Sequence, residues 1–278
     1  MSEPARALRR LTGHRLGLYG SGLVALVVVV AAMAPVLATH DPEAQDLVNR
    51  LQPPSRGHWL GTDGHGRDVY SRLVYGARIS LMVALVAAAI TVTVGVLIGA
   101  VAGYFGGRVD WAVMRFTDLF MTIPVLFLVL ILVAAYGTSL VNTIVVLGLV
   151  YWPGVARLVR GQVLALRARD FVHAARALGA EEGRILVRHL LPNASGVVIV
   201  QVTLAIATAI LAESALSFLG LGVPKPTPSW GNMLTEGRLH LTGAWWIATF
   251  PGAAIFVSVL AFNLTGDGLR DALDPHLR

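Results

Sequence analysis

The feature that most constrains this chain is the alternation of long apolar blocks with short segments that hold nearly all of its arginines. A hydrocarbon core about 30 Å thick is crossed by roughly 20 helical residues. The uncharged run from Leu16 to Thr39 has that size and follows Arg6, Arg9, Arg10 and Arg15. Comparable apolar runs cover 79–107, 119–156, 195–218 and 241–266. Of 278 residues, 55% are hydrophobic and 14% charged, whereas soluble domains carry roughly 25% charged residues. The pattern is that of an all-α, polytopic membrane protein.

The run 119–156 is too long for one crossing at about 1.5 Å per residue, so it must fold back. Tyr136-Gly137-Thr138-Ser139 interrupts its apolar pattern and supplies the hinge. Six transmembrane helices result, at about 16–39, 79–104, 119–135, 140–156, 195–218 and 241–266, with residues 1–15 ahead of them. An even count puts both termini on one side. With that side cytoplasmic, the inner segments hold arginines 6, 9, 10, 15, 108, 115, 157, 160, 167, 169, 176, 184, 188, 270 and 278, and seven of the 22 basic residues stay outside. The first run, with small residues near Ala38, also has the outline of a cleaved signal peptide. It exceeds the roughly 7–15 apolar residues of a signal core, which favours an uncleaved span.

The net charge is +6, yet the arginines flank apolar blocks instead of forming one patch, which excludes a nucleic-acid surface. The chain has no cysteine, so disulfides, thiolate catalysis, Cys-ligated zinc and Cys-held iron–sulfur clusters are excluded. Function falls to the helices and three loops: 40–78 and 220–240 outside, 157–193 inside.

The inner loop is the most informative. Phe171, Ala174, Ala175 and Leu178 recur at helical spacing, forming one apolar face with basic neighbours. Gly179 permits a sharp turn. Glu181 and Glu182 suit the first turn of a second helix, which Pro192 and Asn193 are expected to close. An amphipathic helix lying on lipid would share the basic, apolar character but does not call for this spacing. Ala174-Ala175, Gly179 after three further residues, and Leu191-Pro192 resemble the "EAA" loop of bacterial ABC importer permeases. His173 stands where that family commonly has glutamate, and His189 where it commonly has an aliphatic residue.

Three further stretches point the same way: Trp59-Leu-Gly-Thr-Asp-Gly-His-Gly-Arg-Asp68, Ser217-Phe-Leu-Gly-Leu-Gly222 with Pro228-Ser-Trp-Gly-Asn232, and Asn263-Leu-Thr-Gly-Asp-Gly-Leu-Arg-Asp-Ala-Leu-Asp-Pro275. From about residue 15 onward the chain resembles the C-type permease of the dipeptide, oligopeptide and nickel importer group. The resemblance implies a single permease domain over 16–278 in the bacterial inner membrane, forming half of a pathway for short peptides or a similar polar solute. It implies four kinds of partner: a second, homologous permease, two ATPase subunits that carry ATP and magnesium, an extracytoplasmic solute-binding protein, and membrane lipid. It also implies an ATPase-coupling loop at Phe171, His173, Ala174, Ala175, Arg176, Leu178, Gly179, Leu191 and Pro192. No cofactor is expected in this chain, which lacks a G-x-x-x-x-G-K-[ST] phosphate loop and is not expected to be an enzyme.

Asp63, Arg67, Asp68 and Trp230 are candidates for an outer gate or a binding-protein contact. Asp63, His65 and Asp68 carry metal-ligating atoms, but the surrounding glycines indicate tight turns, and no metal is assigned. Val69, Leu73 and Ala77 form one face of an expected short interfacial helix, with Arg72 and Arg78 nearer water. Glu213 is the one acid inside an apolar run. It either lines the pathway or makes a structural hydrogen bond. Gly95, Gly99, Ala100 and Gly103 suit close helix packing. A secondary transporter would need more intramembrane charge than Glu213 alone supplies, and an intramembrane enzyme would need partners that His189 lacks.

Overall fold

The computed structural model describes residues 15–273. The expected segment 1–15, apart from Arg15, and the last residues of the 263–275 motif lie outside them. Among the described residues the regular structure is helical; the one extended pairing is an isolated bridge between Thr62 and Asp68. In chain order the helices are α1 (Arg15–Ala32), α2 (Ala34–Leu37), α3 (Val69–Phe105), α4 (Gly107–Thr122), α5 (Val125–Tyr136), α6 (Leu140–Val150), α7 (Trp152–Arg167), α8 (Asp170–Ala177), α9 (Glu182–Ile185), α10 (Leu191–Phe218), α11 (Trp230–Arg238) and α12 (Trp246–Leu273).

Four continuous helices are long and apolar enough to cross a bilayer: Val69–Phe105, Leu140–Arg167, Glu182–Phe218 and Trp246–Leu273. The pair α4–α5 makes a fifth if taken as one span, although it bends by 83°. The apolar part of α1 is shorter, Leu16–Ala32.

α3 lies at the centre, packed against α7, α10, α6 and α1, while α12 closes the bundle against α1, α10 and α11. The core between them is built of small and branched residues, among them Ala84, Ala87, Leu147, Ile210 and Phe262. With little apolar contrast between side chains and lipid tails, such helices gain most from close backbone approach. The α3–α7 contact depends on it. A Cβ at Gly95 would lie 2.5 Å from Val155, one at Gly103 would lie 2.7 Å from the Arg160 carbonyl oxygen, and one at Gly99 would come closer still to that of Ala156.

Several sequence expectations need correction. The separate interfacial helix does not exist. Asp68 accepts a hydrogen bond from the Ser71 amide as N-cap, and from Val69 onward the chain is one helix into the membrane segment. Val69 and Ala77 are buried as expected and Arg78 is exposed, but Arg72 is 1% exposed. Its charge is met by buried carboxylates rather than water.

The expected third span, 119–135, is broken. Pro124 disfavours helical geometry at Ile123, which is extended at φ −86°, ψ 124°, so α4 ends at Thr122 and α5 leaves in a new direction. The chain then turns after Tyr136 at Gly137 (φ +86°), and Ser139 caps α6 through the Asn142 amide.

The helical stretch from Leu140 persists to Arg167, so residues 157–167 of the expected 157–193 loop are helical. Pro192 and Asn193 do not close a helix. A π-helical turn, Leu186–Leu190, joins α9 to α10, and the Asn193 side-chain Nδ2 donates to the His189 carbonyl at 2.6 Å. The wider turn accommodates a proline that cannot donate its own backbone hydrogen bond. The last helix begins at Trp246 rather than Leu241, and the 220–240 loop contains α11.

Candidate functional site

Chemistry concentrates at the two ends of α3, which are about 55 Å apart at 1.5 Å per residue over its 37 residues. At the Phe105 end lies the α8–α9 loop. α8 ends at Ala177, and Gly179 at φ +80° reverses the chain, with its amide donating to the Arg176 carbonyl and that of Ala180 donating to Ala175. This left-handed turn is one that a side chain with a Cβ resists.

The apolar face read from spacing divides in two. Val172 is fully buried in a cluster with Tyr104, Val159, Val163, Ile185 and Leu190, and Ala175 and Leu191 pack against it. Phe171, His173 and Ala174 face outward, Pro192 is exposed, and Leu178 at the tip is 88% exposed. The loop is thus held by one side and presents an unpartnered apolar edge on the other.

A second tether joins it to α3. Tyr104, 2% exposed, donates its hydroxyl to the Glu182 carboxylate. Arg176 lies 3.4 Å from the same carboxylate oxygen and 3.5 Å from the hydroxyl. The guanidinium groups of Arg167 and Arg176 stand 5.9 and 5.8 Å from the Tyr104 ring centre, within cation–π range. His173 forms no ion pair among the described residues, and the loop's own pair is Arg176–Glu182. Sequence reasoning missed Tyr104 and read Glu182 only as a first-turn acid. A tyrosine closing a glycine-rich helix was the available signal.

At the Asp68 end, Asp63, Arg67, Asp68 and Trp230 are all at most 3% exposed. Arg67 bridges Asp63 and Glu236, each at 2.7 Å, and Arg72 approaches the same two oxygens at 3.5 and 3.4 Å. Lys225 reaches the other Glu236 oxygen at 3.0 Å. Burial alone would raise the Glu236 carboxyl's pKa, but Arg72 and Arg67, with Lys225, hold it below its ordinary value. Trp230 donates its indole N–H to the Leu73 carbonyl at 3.0 Å and its amide to Ser80 at 3.1 Å. These side chains fasten the 40–68 loop and α11 to α3 and do not themselves face outward. Glu236, 164 residues beyond Arg72, has no local sequence signal that pairs it with this loop.

Glu213 is fully buried. One of its oxygens accepts from Ser217 at 2.7 Å and from Ser229, the α11 N-cap, at 2.9 Å. These bonds join α10 to α11, while its other oxygen, also buried, has no hydrogen-bond partner among the described residues. The trio Asp63, His65 and Asp68 is not one cluster: Asp63 and His65 gather with Glu236, and Asp68 with His40 and His58.

Between the two ends, α3, α6, α7 and α10 line a half-open cavity of about 130 Å³ bordered by Thr91, Tyr151, Gln201 and Thr208. Thr91 and Thr208 bond to backbone carbonyls.

Residues 95–278 match the family described as "Binding-protein-dependent transport system inner membrane component", and residues 5–54 match the "N-terminal TM domain of oligopeptide transport permease C". The dipeptide transport system permease protein DppC of Bacillus subtilis is 45% identical over 100% of this chain and 87% of its own length. The oligopeptide permease OppC of the same organism is 40% identical over 98% and 89%. The probable D,D-dipeptide permease DdpC of Escherichia coli is 42% identical over 98% and 91%. In fold, the chain resembles a chain of the inward-facing MetNI methionine ABC transporter, with TM-score 0.62 and 19% identity over 73% of this chain and 97% of that one.

Proposed function

The chain belongs to the family of binding-protein-dependent transport system inner membrane components, and from that premise we propose that it forms half of a peptide pathway driven by partner ATPases. It is a multi-pass permease subunit of an importer in the bacterial inner membrane, not a catalytic enzyme. The finer reading is that it pairs with a second, related permease and binds two ATPase subunits on the cytoplasmic side. A solute-binding protein meets the opposite face. ATP and magnesium act in the ATPases.

Six spans and cytoplasmic termini belong to this reading. α1 and α2 together run from Arg15 to Leu37 with only Met33 between them, about 34 Å at 1.5 Å per residue, which is enough to cross. α4–α5 is the bent third span.

The observation that carries the proposal is the exposed apolar edge of the α8–α9 loop on a rigid mount. Leu178 is 88% exposed, and enclosing it in an ATPase groove contributes about 2 kcal/mol. A displacement of the loop is passed through Val172 and Arg176 to Tyr104 and so to α3. α3 in turn abuts α7 backbone to backbone, and both line the central cavity. Tyr151 and Gln201 would contact the solute there, and the buried ionic core would keep the outer gate in one piece while the inner half moves. Short peptides are the cargo that the relatives' names support.

The test is reconstitution with the partner subunits. The proposal expects uptake of short peptides that requires ATP and the binding protein. Solute movement by this chain alone would overturn it.

A further inference from the structure

Asp68 is buried, with its side chain 1% exposed, and among the described residues no arginine or lysine reaches it. Its oxygens take the Ser71 amide at 2.8 Å and the Thr39 hydroxyl at 3.4 Å. A buried carboxylate answered only by neutral donors is costly. Two imidazoles face it: His58 Nδ1 lies 2.9 Å from one oxygen and His40 Nδ1 3.8 Å from the other, with the rings 4.7 Å apart and tilted by 32°. All three ligand atoms fall within 4.8 Å of one another.

We propose that His40, His58 and Asp68 form a binding site for a borderline divalent cation of the zinc type. Zinc bonds of about 2.0–2.1 Å in tetrahedral geometry place neighbouring ligand atoms about 3.3 Å apart. The observed 2.9 and 3.8 Å run to different oxygens of Asp68, and one ligand atom from each residue lies within 4.8 Å of the others, so reaching that spacing takes a small rotation of the exposed His40 ring. Two imidazoles and one carboxylate form a donor set suited to zinc, nickel or copper and poor for calcium or magnesium. Hydrogen bonds hold the two rings separately, His58 to Asp68 and His40 to Thr39, whereas a single cation would use both rings and the carboxylate together. The Thr39 hydroxyl, 3.0 Å from His40 Nδ1, would give up that contact when the ion binds, and water would supply the fourth ligand.

The second trio, Asp63, His65 and Glu236, makes the contrast. Its two carboxylates are already bridged by Arg67 and Arg72, which exclude a further cation. The ion at His40, His58 and Asp68 would staple the end of α2, the 50–60 loop and the first turn of α3. It is a resident ion and does not depend on the identity of the cargo.

The test is titration of the untagged, chelator-treated complex with Zn²⁺ alone, read by calorimetry, and with Co²⁺ alone, read by its visible absorption. The chain has no cysteine, so a tetrahedral cobalt band from this site would carry no thiolate signature. The proposal expects one more Zn²⁺ bound per copy of this chain than in the His40→Asn/His58→Gln double variant. It expects His40→Asn alone, at an exposed position, to weaken binding by about tenfold or more. His65→Asn should bind as the wild type does. Equal binding by the wild type and the double variant would overturn the site. So would a loss in His65→Asn matching that in His40→Asn.

Discussion

At the Asp68 end of α3, two arginines and two carboxylates of the ionic core are buried and answered within the chain, with Lys225 at the rim, whereas at the Tyr104 end the most apolar residue of the turn, Leu178, stands 88% exposed. The first region is complete on its own: two arginines, a lysine and two carboxylates drawn from the 40–78 segment, the 220–230 loop and α11. The second is a surface awaiting something to cover it, held by Val172 on one side and by the Tyr104–Glu182–Arg176 contact on the other. The proposed coupling calls for this asymmetry, with one end free to be moved and the other held together. α3 is the element common to both.

The comparison breaks most visibly at the ionic core. Glu236→Ala leaves Arg67 and Arg72 to share Asp63 as their one remaining carboxylate, and removing a partner from a buried ionic group costs about 3–5 kcal/mol. Its thermal unfolding midpoint in detergent should fall well below the wild type's, with Glu236→Gln between them. An unchanged midpoint would mean that water, not Glu236, answers the arginines.

Gly179→Val should act at the other end and in another way. A branched side chain at φ +80° adds roughly 1–2 kcal/mol of backbone strain. Membrane insertion should persist, while uptake falls and ATP hydrolysis continues. Normal uptake would count against the loop as a lever.

These two variants also mark what the sequence made legible. The Ala174, Ala175, Gly179 and Leu191-Pro192 spacing pointed to this loop, and a glycine at 179 permits the positive-φ turn found there. Spacing along one helix did not reveal that Val172 is the inward residue, because that depends on Tyr104 and Val163 from helices elsewhere in the chain. Arg72 reads as water-facing until Glu236 is brought to it. Pro124 carried a local signal that the apolar count obscured, and the break at Ile123 follows from it. Pro192 carried the opposite lesson: a π-helical turn lets a helix pass through a residue that usually ends one.

Smaller effects sharpen the comparison. Tyr104→Phe removes one hydrogen bond to Glu182, whose side chain is 57% exposed, so the loss is about 0.5–1 kcal/mol. Solute moved per ATP hydrolysed should fall a few-fold with the unfolding midpoint nearly unchanged. Full coupling in this variant would remove Tyr104 from the path.

The smallest effect concerns pH. The folded Glu236 carboxyl titrates below its ordinary 4.5. Its contribution is therefore present above the unfolded value and lost as pH falls through the folded one. Stability from this group should be flat from pH about 7 to about 5 and decline only in stronger acid. Glu236→Gln should lack that decline.

The most direct test of the central claim, that the α8–α9 loop is the cytoplasmic docking edge, uses Leu178→Cys, which creates the only thiol in a chain without cysteine. Inside-out vesicles carrying this variant, with and without the ATPase subunits, are treated with a membrane-impermeant maleimide. The account predicts rapid labelling without the ATPases and strong protection with them. Labelling only from the outer face, or labelling that the ATPases leave unchanged, would contradict it.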